Sequence, residues 1–164
     1  MEKKNQPCYN KEGELIGWLS PSIAIVTFVF LKSPEGNIYV LATRRGIGCP
    51  DNKGKWNCQC GYLDFEESTT EAAIREVLEE TGIALRKNEI TDWKWIDTPD
   101  ENGNIVHRFY AVLEGWPDEY PTNENYSEQD EVEDIAWIPL DDVHNYKWAF
   151  GHETAIQEAL QLIG

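Results

Sequence analysis

Residues 22–31 read Ser-Ile-Ala-Ile-Val-Thr-Phe-Val-Phe-Leu and are apolar on both faces of a two-residue period. A strand of this kind can leave neither face to water, so it predicts a sheet covered on both sides. The apolar run Ile23–Leu31 is about half the length that a membrane span needs. Nor does Met1-Glu-Lys-Lys-Asn-Gln-Pro7 lead into the apolar stretch of a secretory signal. A cytoplasmic protein without a membrane partner is expected. At 164 residues, one domain over 1–164 is expected, with 1–20 as an N-terminal extension.

The rest of the chain supplies the partners of this strand. Ser33–Asn37 is a turn, and Ile38–Arg44 is the returning strand. Gly46–Lys55 is a Gly- and Asp-containing loop, and Trp56–Cys60 reads as one short strand. Ile90–Ile96 and Ile105–Leu113 flank the turn Asp100-Glu-Asn-Gly103. Val132–Ile138 is a further strand, ended by Pro139. Glu153–Ile163 is a helix with Ala155, Ile156, Ala159, Leu160 and Ile163 on one stripe. Several strands are hairpin-linked and the helices are irregularly spaced, which favours an α/β fold with a mixed sheet over a doubly wound parallel one.

One helix has an unusual charge pattern. Ser68-Thr-Thr-Glu71 forms a capping box, and Gly82 supplies the left-handed residue that closes the helix after Thr81. At 100° per residue, Glu76, Glu79 and Glu80 share an arc of about 100°, with Ile74, Val77 and Leu78 on the opposite side. Each like-charge pair costs on the order of 3 kcal/mol at about 6 Å and an effective dielectric of about 20. Arg75 is the one nearby residue that offsets this. A divalent cation would also offset it, and carboxylate oxygens suit Mg²⁺ or Mn²⁺.

The chain carries 14 Lys+Arg against 30 Asp+Glu, a formal charge of −16. Such a surface repels nucleic acid, so no nucleic-acid partner is expected, whereas a small phosphorylated ligand remains compatible through cations. Cys58 and Cys60 are too closely spaced for a zinc knuckle and have no nearby His. Together with Cys8 and Cys49 they read as reduced, partly buried thiols.

The segment from Gly61 through Glu67 and Arg75-Glu76-Val77-Leu78-Glu79-Glu80-Thr81-Gly82-Ile83 resembles, without a gap, the signature of the Nudix hydrolases. Trp137–Val143 is similar to that family's strand-to-helix exit. Trp148-Ala-Phe-Gly-His152 is similar to a segment of members acting on nucleoside diphosphates joined to a sugar. The chain departs from the family in carrying Gln59-Cys60-Gly61 where many members have Pro-Gly-Gly.

The resemblance implies a three-layer α/β/α sandwich around a mixed β-sheet. It also implies hydrolysis of a diphosphate bond in a nucleoside diphosphate linked to another moiety, with Mg²⁺ or Mn²⁺. ADP-ribose or a nucleotide sugar is favoured over a nucleoside triphosphate. Glu76, Glu79 and Glu80 would be metal ligands, joined by the backbone carbonyl of Cys60. Arg75 would orient the glutamates and Glu67 would support them from behind. A general base often comes from a later loop, where Glu124, Glu128, Glu131 and Glu133 are available. Glu131 is the choice because it immediately precedes a strand.

Arg44 and Arg45 end a strand where they could grip phosphate oxygens, and Trp56 could stack on a base. His107, His144 and His152 read as structural or exposed. A nucleotide-sensing module is the rival from another class. Such modules usually lose motif glutamates and carry a DNA-binding domain, whereas all the glutamates are present here and about 20 residues precede the first strand. A homodimer is left open.

Overall fold

The structure is a computed structural model that describes residues 4–123 and 130–164. The N-terminal extension forms an antiparallel hairpin of β1 (Gln6–Tyr9) and β2 (Leu15–Leu19). Then come β3 (Ser22–Lys32), β4 (Ile38–Arg45), β5 (Trp56–Asn57), β6 (Gln59–Tyr62) and helix α1 (Thr69–Thr81). They are followed by β7 (Ile90–Ile96), β8 (Asn104–Glu114), β9 (Val132–Pro139) and helix α2 (His152–Ile163). The hairpin was not expected from the sequence. Asn10 closes its turn by accepting the Glu14 amide at 2.8 Å, with Gly13 in the left-handed region.

Among the described residues β3 to β9 make a seven-stranded mixed sheet. β3 runs parallel to β8 along its whole length, from Ser22 opposite Asn104 to Lys32 opposite Glu114. Its other edge is shared: Phe30–Lys32 pair with β4, and Ala24–Thr27 pair with β6. β4 divides in the same way, with β9 along one edge and β3 then β5 along the other. β3 and β4 therefore part company, and the β5–β6 segment fills the gap. This corrects the single strand expected over Trp56–Cys60. Its two halves serve different neighbours, and at the break the Cys58 amide donates to His152 Nδ1 at 3.0 Å.

The double coverage expected of residues 22–31 is present. Val26, Phe28 and Phe30 pack with Ala155, Ile156, Ala159 and Ile163 of α2. Val29 and Leu31 pack on the opposite face with Val77 of α1, and Ile25 packs with Ala72 and Ala73. Strand alternation thus sends successive residues to different helices, giving the three-layer sandwich. Phe28 and Phe30 are fully buried, and each contributes about 1.5–3 kcal/mol through the apolar area removed from water. No helix among the described residues is long and apolar enough to cross a membrane.

Candidate active site

Helix α1 begins and ends where its sequence signals place it. Ser68 Oγ accepts the Glu71 amide at 3.3 Å while Glu71 Oε2 accepts the Ser68 amide at 2.8 Å. Gly82 closes the helix at φ 77°, its amide donating to the Leu78 carbonyl. The carboxylate face lies against β6 rather than facing open solvent, which corrects the expected division of the helix. Glu76 is 9% exposed, whereas Leu78, expected on the packing side, is only half-buried. Gly61 permits this approach. A Cβ at that position would lie 2.1 Å from Glu76 Oε1.

Arg75 joins the carboxylates. Its Nε and Nη2 donate to the two Glu67 oxygens at 3.0 and 2.7 Å. Nη1 donates to Glu76 Oε1 at 2.7 Å and to Glu79 Oε2 at 3.0 Å, and Nη2 also donates to the Tyr62 carbonyl at 3.0 Å. The planar fork spans partners that a point charge could not. Hydrogen bonding to Arg75 holds the Glu67 carboxyl below its ordinary range. Burial outweighs Arg75 at Glu76 and pushes that carboxyl up.

Glu80 lies in a different environment. Burial, reinforced by the charge of Glu76, pushes its carboxyl well above the ordinary range. Its Oε1 accepts the Cys60 amide at 3.4 Å. Thr43 Oγ1 lies 3.3 Å from Glu80 Oε2 and 3.3 Å from Asn57 Oδ1, so its single proton serves one of them at a time. Among the described residues no Lys, Arg or His pairs with Glu80. A carboxylate largely withdrawn from water without a cation is costly, and an all-oxygen donor set fits a hard dication such as Mg²⁺ or Mn²⁺. The Glu67, Glu76 and Glu79 side chains are drawn toward Arg75, and among the described residues no three of His, Cys, Asp or Glu converge as a ready-made metal cage.

These groups line a cleft of about 900 Å³ at the edge of the sheet where β4 ends, β3 and β8 begin and the β5–β6 segment fills the gap. Cys60, Arg75, Glu76, Glu79, Glu80, Arg45 and Glu131 all line it. Arg45 is held there by Asp51, with Nη2 at 2.8 Å from Oδ1. Glu131 is exposed, and its backbone carbonyl accepts the Gly46 amide at 2.7 Å. Glu67 stands behind Arg75, 15% exposed. Glu124 and Glu128 lie outside the described residues.

Two expected substrate contacts are not brought to the cleft. Arg44 follows Thr43 and precedes Arg45 on a strand, so its side chain takes the opposite face. There it pairs with Glu133 at 3.5 Å and Asp134 at 3.8 Å. Trp56 packs edge-on against Tyr146, with ring centroids 5.3 Å apart, as part of the core under α2. Sequence reasoning passed over Thr43, Asn57 and Arg108, which line the cleft together with Phe150 of the segment Trp148–His152. Nothing in their spacing marks them, because they meet only after β3, β4 and β8 are paired.

A NUDIX domain family model matches residues 22–159. The chain belongs to the Nudix hydrolase family. Among curated relatives it is 27% identical over 99 residues to the nucleoside triphosphatase NudI of Klebsiella pneumoniae, covering 57% of this chain and 67% of that one. Curated relatives are matched over 28% to 67% of their own length. Among solved structures, the NUDIX domain of Shewanella oneidensis NrtR, complexed with ADP ribose, superposes with TM-score 0.73 at 19% identity, covering 95% of this chain and 94% of that one. A bifunctional NMN adenylyltransferase/ADP ribose pyrophosphatase of Francisella tularensis, complexed with AMP and a Mn ion, gives TM-score 0.67 at 22% identity over 88% of this chain and 42% of that one.

Proposed function

We propose that this protein hydrolyses the diphosphate bond of a nucleoside diphosphate linked to another moiety, with ADP-ribose or a nucleotide sugar as the favoured substrate class. The observation that carries the reading is the half-buried Glu80 carboxylate, which lies beside Glu76 and has no ion-pair partner among the described residues. Glu76, Glu79, Glu80 and the Cys60 carbonyl would hold Mg²⁺ or Mn²⁺. The bound dication would neutralise the diphosphate and lower the pKa of the attacking water.

The remaining chemistry falls to the chain itself. Arg75 keeps Glu76 and Glu79 in register, and Glu67 holds Arg75 by two charge-assisted hydrogen bonds. Glu131, exposed at the cleft, would take the proton from the attacking water. Arg45 would meet phosphate oxygens. The solved neighbours named for ADP ribose support the preferred substrate class. A second reading, hydrolysis of a nucleoside triphosphate, draws on the printed name of the NudI relative. A formal charge of −16 disfavours a nucleic-acid substrate. The free cysteines suit a reducing compartment such as the cytoplasm.

A panel of ADP-ribose, nucleotide sugars and nucleoside triphosphates, assayed with Mg²⁺ for released products, tests the reading. Turnover of the diphosphate-linked compounds supports it, and turnover of triphosphates alone moves the assignment to the second reading. Glu80→Gln is expected to lower turnover by about a thousandfold, the scale of several kcal/mol of lost charge stabilisation. The metal-free variant should melt above the parent, because a buried unpaired charge is gone. Undiminished turnover would remove Glu80 from the metal site.

A further inference from the structure

We propose that Phe150 is the platform on which the substrate's nucleobase stacks, with Arg45 backing its ring. This rests on the nucleotide reading above and adds the residue that recognises the base, a role expected of Trp56 and not supported by its position in the core.

Three features of Phe150 converge. Its backbone sits at φ 56°, in the left-handed region that a bulky side chain rarely adopts, and Gly151 follows at φ 68°. Phe150 is 45% exposed, while its neighbours Ala149 and His152 are 1% and 3% exposed. The strained backbone therefore carries an apolar ring out of the core and into the cleft that the α1 carboxylates line. Strain of this kind persists where the surrounding structure enforces it, and it concentrates at ligand sites.

The ring is also fixed in place. The Arg45 guanidinium lies 4.9 Å from its centroid and is itself held by Asp51, with Nε donating to the Asp51 carbonyl at 3.1 Å. The His152 ring is 5.6 Å away at 57°. His152 is anchored in turn, its Nδ1 accepting the Cys58 amide. One face of Phe150 is thus supported by a cation, while the residue stays partly exposed where it lines the cleft. A planar aromatic ring is the ligand group that such a surface favours, since every nucleobase has a π-face.

The test is calorimetric binding of AMP and of ribose 5-phosphate, which lacks the base, to the full chain with Mg²⁺. The parent is expected to bind AMP about tenfold or more tightly than ribose 5-phosphate, the scale of one base–aromatic stack. Phe150→Gly, which suits the left-handed backbone and should fold, is expected to reduce that ratio to within about twofold. Phe150→Asn, which also tolerates this region, should do the same, and Phe150→Trp should restore the ratio. A parent that binds both compounds equally, or binds neither, overturns the proposal. So does a Phe150→Gly or Phe150→Asn variant that keeps the ratio. Turnover of the parent on the substrate panel is read separately. Base-dependent binding without turnover would fail the hydrolytic reading alone, and turnover with base-indifferent binding would fail the stack alone.

Discussion

Arg75 is the residue on which the carboxylate cluster depends, because its fork meets Glu67, Glu76, Glu79 and the Tyr62 carbonyl at once. Arg75→Lys keeps the charge and loses the geometry. It is expected to cost about 2 kcal/mol, read as a fall of about 4–8 °C in melting temperature. An unchanged melting temperature would mean that a single ammonium suffices. Glu131→Gln is expected to lower kcat about 100-fold with little change in folding, as for loss of a proton acceptor. A change under about threefold would move that role elsewhere. The Arg45 side of the site was partly legible in the sequence and the Arg44 side was not. Two adjacent arginines look alike in a string, but a strand sends them to opposite faces, and only pairing shows which face is the cleft.

At the scale of elements, α1 and β6 form one unit. The capping box, the left-handed Gly82 and the spacing of the glutamates were all readable because each is a local interaction within a few residues. The contact of α1 with β6 was not readable, since Gly61 and Glu76 are brought together by the sheet. Gly61→Ala is expected to push Glu76 aside, because the new Cβ would meet its Oε1 at 2.1 Å. Its Mg²⁺ affinity should fall about tenfold or more, measured by calorimetry, while the far-UV spectrum stays that of the parent. Parent-like affinity would show that the carboxylate can move without loss. The split of Trp56–Tyr62 into β5 and β6 has the same origin. Its apolar pattern is continuous, and the break at Cys58 follows from which neighbour each half pairs with.

Across the whole molecule, His152 ties α2 to the β5–β6 segment through the Cys58 amide. Burial, with help from Arg108 and Arg45, lowers its pKa from 6.5 to about 3. In that window the unfolded chain binds a proton that the folded chain does not, so stability falls as the pH drops below 6.5 and this loss ends near 3. Between pH 6.5 and 5 the contribution is a loss of about 2 kcal/mol, measured by denaturant unfolding. A His152→Asn variant should lack this part of the pH dependence. A parent whose stability is flat across that interval would contradict the buried, neutral histidine.

The string of residues settled what short-range forces control. Alternation made Ser22–Lys32 a strand covered on both faces, and helical spacing put Glu76, Glu79 and Glu80 on one arc. Long-range pairing settled the rest. The parting of β3 and β4 opens the cleft, inserts β5–β6, buries Glu80 against Cys60 and brings Phe150 to the same cavity as residues far away in the chain. Periodicity along a chain records which side of an element avoids water, while the neighbour that covers that side is chosen only when distant segments meet.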